Sequence, residues 1–336
     1  MNEKKKIFLQ SKMLRTLVQW IFFAWVAFLG IRFGLFVRHF ESGGVAPFVS
    51  RPAGVDGFLP IGALASLKSW LTTGVLNPLH PAAVVIFLSI VGMSLLAKKS
   101  FCSWLCPVGT LSETAGSVGR RLFGRNFRIW SPLDLVLRSI KYLLLLFFIK
   151  IILVDMPNQA LALFLETPYW AISDVKMLHF FTRMSNVTMV VLGILAGLSI
   201  IYEGFWCRYL CPYGALLGLA SMLSPFKIRR DPAHCSGCGS CSAACPAHLP
   251  VHDRNVIRSP ECNGCLSCTL ACPEKDALRM GLFQWKRPLP VWLFPVIALF
   301  VFAAGTGAGI VTDTWQSSLG YADYHYLIPR APFLNH

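Results

Sequence analysis

Apolar residues in this chain gather into five long blocks, residues 14–37, 79–97, 133–154, 184–202 and 289–311, separated by polar stretches rich in charge. Each block is close to the ~20 residues that a helix needs to cross a hydrocarbon core, so the pattern predicts five transmembrane helices. The first block is too long for a cleavable signal and lacks a small-residue cleavage site. The third is interrupted by Arg138, Lys141 and Lys150. Arg138 and Lys150 lie near its ends, where long cationic side chains can reach the interface. A shorter apolar patch at 58–67 cannot span and predicts an interfacial or re-entrant segment. Inside the fifth block, the run Gly305-Thr306-Gly307-Ala308-Gly309 predicts close helix packing through small residues.

Composition agrees with a membrane protein. Of 336 residues, 55% are hydrophobic and mean hydropathy is +0.57, beyond the usual apolar share of a soluble domain. The net charge of +15 raises nucleic acid as a partner. The basic residues flank the apolar blocks, however, and form no aromatic-spaced stripe, which argues against that class. Their placement also orients the chain. With the N-terminus inside, 21 Lys and Arg fall on inside segments and 6 on outside segments, while Arg32, Arg138, Lys141 and Lys150 lie within the blocks. Positive residues are retained on the cytoplasmic side, so the expectation is N-terminus in and C-terminus out. The outside tail, 312–336, carries Trp315, Tyr321, Tyr324 and Tyr326, which predicts an aromatic anchor at the interface.

All twelve cysteines fall in motifs, so none is left over for a structural disulfide. Eight form two C-x2-C-x2-C-x3-C-P runs: Cys235, Cys238, Cys241 and Cys245 before Pro246, and Cys262, Cys265, Cys268 and Cys272 before Pro273. That spacing wraps an iron–sulfur cube, and in two-cluster ferredoxins the fourth cysteine of each run ligates the other cluster. The expected sets are therefore Cys235, Cys238, Cys241 and Cys272 for one 4Fe-4S cluster, and Cys262, Cys265, Cys268 and Cys245 for the second. Zinc is the competing reading of the C-x2-C pairs. Labile thiolate-bound clusters suit a reducing compartment, which again places residues 203–288 in the cytoplasm.

The other four cysteines lie in two similar phrases, F-C-S-W-L-C-P-V-G around Cys102 and Cys106, and W-C-R-Y-L-C-P-Y-G around Cys207 and Cys211. Each phrase follows the second helix of a predicted pair, which implies a parallel repeat about an axis along the membrane normal. An i, i+4 spacing puts both thiols of a pair on one helix face. The four thiols are then expected to converge at the inner membrane boundary. A shared metal or iron–sulfur centre, a redox-active thiol set, and close packing of small apolar side chains all fit that convergence.

The twin C-x3-C-P phrases followed by two ferredoxin runs resemble the NapH/NosR family of membrane polyferredoxins, from about helix two to Pro273. The resemblance implies a quinol-linked electron carrier serving a respiratory reductase, with the eight ferredoxin cysteines as cluster ligands. A helix after the ferredoxin module is instead similar to CcoG (FixG/RdxA) proteins, which handle copper during oxidase assembly. Those carry a large outside domain where this chain has a short tail, and NosR-type proteins carry a flavin-binding domain of which these residues hold none.

The expected fold is an all-α polytopic membrane protein with an inserted small α+β two-cluster ferredoxin module. Its segments are 1–132 and 133–226, one membrane repeat each with its C-x3-C-P motif, 227–288 as the cytoplasmic ferredoxin domain, and 289–336 as the fifth helix with its tail. Expected cofactors are two 4Fe-4S clusters, a third iron–sulfur or metal centre, and quinone. Expected partners are membrane lipid and a respiratory or maturation protein, and the location is the inner membrane. Lys227, Arg229 and Arg230 are candidates to raise cluster potential by favouring added negative charge. Glu203, Asp155, Glu166 and His179 are candidate proton acceptors for a quinol. The competing function is a maturation reductase such as a CcoG-like cupric reductase. It needs soft or imidazole ligands outside, and His39, His80, His179, His325, His336, Met156 and Met177 share no metal-ligand spacing.

Overall fold

A computed structural model of the chain describes residues 3–125, 127–274, 276–282 and 292–334, and for residues 3–11 the backbone alone. Residues 289–291 of the fifth predicted span, 283–288 of the predicted ferredoxin domain, Lys275 and His336 lie outside the described residues. Helix α1, Glu3–Glu41, runs unbroken because its Leu-, Phe- and Ile-rich stretch contains no proline. Its Lys12–Glu41 portion and α14, Leu293–Val311, are long and apolar enough to cross a membrane. A third candidate is the bent pair α9, Ser173–Thr182, and α10, Asn186–Ile201, which meet at 76°. The break falls where Ser185 Oγ accepts the Thr188 N–H, an N-cap that starts α10 afresh. The other predicted spans differ from expectation. Helix α3, Pro81–Ala97, is apolar but has 17 residues. Helix α6, Ser131–Ile149, carries Asp134, Arg138 and Lys141 and continues as a π-helical turn, Lys150–Asp155.

The chain divides into two compact units, and the cysteines all belong to the first: Met1–Ala24, Ile90–Leu145 and Gly193–Ala303. Here the C-x3-C-P phrases start helices. Pro107 is the first residue of α5, Pro107–Phe123, and Pro212 of α11, Pro212–Ser221. Proline suits that position, where its missing N–H has no helical partner to lose. The preceding short helix α4, Ser100–Trp104, and a π-helical turn at Trp206–Leu210 stop before the cysteine that caps the next helix. Each pair of cysteines thus straddles a helix break and does not share the face of one continuous helix.

The ferredoxin module has a three-stranded antiparallel sheet. Strand β1, Lys227–Arg230, lies between β2, Val256–Ile257, and β3, Leu278–Gly281. Ile228 faces Ile257 on one side and Met280 on the other, and all three are buried. One-turn helices α12, Ser240–Ala243, and α13, Ser267–Leu270, each lie within a cysteine run.

Two of the intramembrane cations flagged in the sequence are paired with acids, Lys141 with one in the ferredoxin module and Arg138 with one on its own helix. Lys141 is fully buried, with Nζ 2.6 Å from Glu261 Oε2, while the Tyr142 hydroxyl donates to Glu261 Oε1 at 2.9 Å. Arg138 pairs with Asp134 at 2.6 Å. Asp134 also accepts from Arg208 Nε and Nη2 at 2.8 and 2.9 Å and from the Tyr209 hydroxyl at 2.6 Å. Removing one member of a buried ion pair strands the other and typically costs about 3–5 kcal/mol. Glu261→Ala is therefore expected to lower thermal stability by that order, and Glu261→Leu with Lys141→Met to recover most of it. Thermal melts in detergent check this, and a single variant as stable as the parent would contradict it.

The second unit comprises Trp25–Ser89, Leu146–Leu192 and Ala304–His336. The predicted interfacial patch falls in η-turn residues and in α2, Pro60–Thr73, which Gly74 ends with φ +76°. Lys68 of α2 donates to the Ile152 and Met156 carbonyls at 3.0 and 2.5 Å, satisfying acceptors that the π-helical turn leaves open. Helices α7, Asn158–Leu165, and α8, Pro168–Ala171, bring Leu161, Leu165 and Trp170 into a small core with Ala65 and Ile152. A larger core joins Phe33, Phe36, Phe40, Ile172 and Val175 to Tyr324 and Ile328, the first of which lies in α15, Tyr321–Leu327. Tyr324 is therefore core, its ring 5.0 Å from Phe36, whereas Tyr326 is exposed as an interfacial anchor would be. Four aromatic residues in a tail do not reveal which side chain the helix turns inward.

Candidate metal centres and their surroundings

The two ferredoxin runs exchange their last cysteines in space. A cavity is lined by Cys262, Cys265 and Cys268 from the second run and Cys245 from the first, with Ile228, Leu249, Val251 and Ile257 around them. Burial pushes the Cys245 thiol up to about 12, and its strongest thiol neighbour is Cys265, followed by Cys262. Cys268 is likewise raised by burial and then by Cys265, Cys262 and Cys245. In the opposite sense, Cys272 is raised by burial and feels Cys241, Cys238 and Cys235. The first of these sets is the more enclosed, since Cys245, Cys262 and Cys268 are buried, whereas Cys238 is exposed. Gly264 allows the loop its path, with φ +62° and an added Cβ only 3.1 Å from the Phe294 ring.

The C-x3-C-P cysteines are also brought together. Cys207 is pushed up to about 12 by burial and then by Cys211 and Cys102. Cys106 is held well above the ordinary thiol range by burial and then by Cys102 and Cys207. Cys102 rises to about 11 through burial, although Lys99 opposes that rise. The two halves share a local design. Gly214 N–H donates to Cys211 Sγ at 3.2 Å, and Cys106 holds the same N-cap position without that side-chain bond. A Cβ on Gly109 would lie 2.3 Å from the Cys102 carbonyl oxygen, and one on Gly214 would lie 3.4 Å from Cys211 Sγ. Only glycine fits at 109, whereas at 214 a Cβ would make an ordinary contact.

These three sets fit iron–sulfur centres by their donor chemistry. Crowded buried thiols cannot all ionise unless a cation lies among them, and four soft sulfur donors are the usual ligands of such cores. Their spread also matters. Among the described residues, the group of three or more His, Cys, Asp or Glu side chains whose ligand atoms lie within 4.8 Å of one another is Asp56, His80 and Asp174. Among the described residues no three thiols meet that test.

Several surrounding charges were not identified from the sequence. Lys98 and Lys99 counted there as inside-facing surface charge, yet both are buried. Burial opposes the charge on Lys99, but Cys102, Glu261, Cys211 and Cys207 outweigh it and hold its pKa raised. Lys98 reaches the Ile257 carbonyl at 3.3 Å and lies near Cys262. The positions directly before F-C-S-W-L-C were the available signal. Burial and Lys98 lower Lys227 to about 8, and its Nζ donates to the Met222 carbonyl at 2.6 Å. Arg230 Nη1 lies 3.6 Å from Cys235 Sγ, beside the more exposed set.

The candidate proton acceptors separate. Glu203 belongs to the unit that holds the cysteines and pairs with Arg120 at 2.7 Å. Asp155, Glu166 and His179 belong to the second unit. Asp155 is paired with Lys150 at 2.5 Å and His179 with Glu41 at 3.0 Å. His80 is not scattered, as its sequence position suggested. Its Nδ1 lies 3.0 Å from Asp56 and its Nε2 2.9 Å from the Trp170 carbonyl. Arg51 donates to Asp56 and, at 2.8 Å, to Asp174. The group balances two carboxylates with a guanidinium and an imidazole, although Asp56 Oδ2 is buried without a hydrogen-bond partner. Burial opposes the Asp56 charge, and Arg51 and His80 overcome it to hold the carboxyl below its ordinary range.

Comparison with known proteins supports the same chemistry. A family described as "4Fe-4S binding domain" matches twice, at residues 79–126 and 186–231, and a "4Fe-4S dicluster domain" matches residues 227–273. The putative electron transport protein YccM of Escherichia coli is 42% identical over 330 residues, covering 96% of this chain and 91% of that protein. Protein NirI of Paracoccus denitrificans is 32% identical over 57% of this chain and 28% of its own length. The ferredoxin-type protein NapH of Escherichia coli is 28% identical over 50% of this chain and 52% of its own. No solved structure matches.

Proposed function

From a chain that belongs to the ferredoxin-type membrane electron-transport family of YccM, NapH and NosR, we propose a relay that links the quinone pool and two cytoplasmic-side 4Fe-4S clusters to a respiratory reductase. One cluster takes Cys235, Cys238, Cys241 and Cys272, the other Cys245, Cys262, Cys265 and Cys268. Cys102, Cys106, Cys207 and Cys211 hold a third centre. When bound, such a centre accepts and passes one electron at a time.

The observation that carries this reading is the charge bridge between thiol sets. Lys99 neighbours Cys102, Cys207 and Cys211 and also Glu261, the residue before Cys262. Glu261 in turn holds Lys141. Lys99 beside the C-x3-C-P thiols and the adjacent Lys98 beside Cys262 favour added negative charge on each set. The Arg208 fork on Asp134 also anchors the module, because Arg208 Nη1 donates to the Ala247 carbonyl at 2.9 Å, next to the first Cys-Pro. A maturation reductase would need open soft ligands on the outside face, and Arg51 already occupies the carboxylates of the buried Asp56–His80–Asp174 group.

We place residues 227–288 in the cytoplasm as the ferredoxin domain, the two membrane repeats at 1–132 and 133–226, and the fifth helix with its tail at 289–336, in the inner membrane. The twofold match of one family supports the repeat, and the 21-to-6 basic asymmetry supports the orientation. A periplasm-dependent phosphatase fused after Leu334 is expected to be active and one inserted near Asn255 inactive. The reverse pattern would remove the orientation and the cytoplasmic clusters together. The relay itself is tested by adding a quinol to anaerobic protein and following bleaching of cluster absorbance. Absence of bleaching would reject the quinone link.

A further inference from the structure

We propose that the cavity between the inner end of α1 and α5 is the quinone headgroup site of this relay, an assignment that rests on the quinol-linked reading above. Its volume is about 660 Å³, within the usual range of small-molecule pockets. Cys245 and Cys265, from one cluster set, form part of its wall. Opposite them stand the α1 residues from Lys12 to Trp20 and the α5 residues from Thr110 to Arg121.

The polar groups deep in this cavity are arranged for a neutral headgroup. Arg15 and Gln19 are 6% and 4% exposed, although they lie on a helix apolar enough to cross a membrane. Arg15 donates to Glu113 and to Ser267 Oγ at 3.4 Å. Gln19 Nε2 donates to Glu113 Oε2 and to the Ser103 carbonyl, both at 2.9 Å. Ser103 follows Cys102, and Ser267 precedes Cys268, so this triad is hydrogen-bonded to segments of two thiol sets. Glu203, paired with Arg120, lines the same space.

The opening identifies the ligand class. Trp20 lines the cavity and is 42% exposed, and its neighbours Leu17 and Ile21 are exposed beside it. Lys12, Arg121 and Arg128 are exposed lining residues, whereas the buried Arg15 already has a carboxylate partner. At Arg15 a water-soluble anion would have to compete with Glu113. A lipid-soluble headgroup bearing carbonyl or hydroxyl oxygens needs only the guanidinium N–H groups that Arg15 keeps beyond its bonds to Glu113 and Ser267, and the acceptor oxygens of Glu113. A two-electron carrier of the quinol class meets both demands. Oxidation of one bound quinol breaks two O–H bonds. Glu113 and Glu203 are placed to take the protons, and the two centres that the eight ferredoxin cysteines would hold would supply the acceptors of the two electrons, one each.

The test uses full-length protein in lipid nanodiscs with its clusters intact. A photoreactive azido-quinone is expected to label peptides containing Lys12–Trp20 and Thr110–Arg121, and excess unlabelled quinone to reduce that labelling at least tenfold. Thr114→Trp, which fills the cavity, is expected to reduce it at least tenfold with iron content unchanged. Glu113→Gln is expected to retain labelling and slow quinol-driven cluster reduction at least tenfold. Labels elsewhere, labelling indifferent to Thr114→Trp, or competition by anionic phospholipid and not by quinone would overturn the site. Quinol-driven reduction is measured in parallel. If it is absent in the parent, the quinol reading fails. If it persists equally in parent and Thr114→Trp, the cavity assignment alone fails.

Discussion

Cys272→Ser is expected to abolish the cluster bound mainly by Cys235, Cys238 and Cys241, and to spare the cluster of the run in which Cys272 itself lies. Cys245→Ser should do the reverse. The thiol of Cys272 has Cys241, Cys238 and Cys235 as its sulfur neighbours, while Cys245 shares a cavity with Cys262, Cys265 and Cys268. Each lesion should remove about four of the roughly eight iron atoms that two cubes hold. The two variants should also differ in severity. The Cys245 set is enclosed by Ile228, Val251 and Ile257, so its loss empties part of the module core, whereas the other set includes the exposed Cys238. EPR of the reduced variants assigns the surviving signal. If each substitution instead removed the cluster of its own run, the crossed ligation would be wrong.

Cys106→Ala and Cys211→Ala are each expected to abolish quinol-linked electron transfer while both ferredoxin-type signals persist. Each cysteine holds the N-cap position of the helix that its proline begins, and the Cys211 sulfur accepts an N–H from Gly214, three residues on. Alanine removes a ligand and the cap together. Loss of an N-cap alone costs about 1 kcal/mol, too little to unfold a membrane protein of this size. A complete loss of transfer with a modest change in melting temperature would therefore identify a missing centre. Full transfer in either variant would leave the four thiols as packing groups.

Much of this was legible in the sequence where chemistry and spacing lie close together. The eight ferredoxin cysteines sit in two short runs, and their exchange follows from the motif. The polar features were harder because they depend on distant contacts. Lys98 and Lys99 follow an apolar block and resemble ordinary interfacial cations, but α4 and the ferredoxin loops bury them. Glu261 looks like a loop acid, and its partner Lys141 is 120 residues away. Asp56, His80 and Asp174 meet from three separate segments. Gln19 and Glu113, 94 residues apart, likewise carry no pairing signal. The helix break within each C-x3-C-P phrase had a local signal, since proline disfavours helical conformation in the residue before it. The i, i+4 spacing hid that signal, although the thiols still converge across the break. Apolar length alone also did not show that α3 has only 17 residues or that α6 carries three embedded charges.

The most direct test of the relay is the iron and acid-labile sulfide content of anaerobically purified protein, read together with EPR and with alkylation of its thiols. Iron above the roughly eight atoms of two cubes, with Cys102, Cys106, Cys207 and Cys211 protected from an alkylating probe, is the predicted result. Iron for two cubes only, with those four thiols reacting freely, would contradict a continuous chain of centres between the membrane and the ferredoxin module.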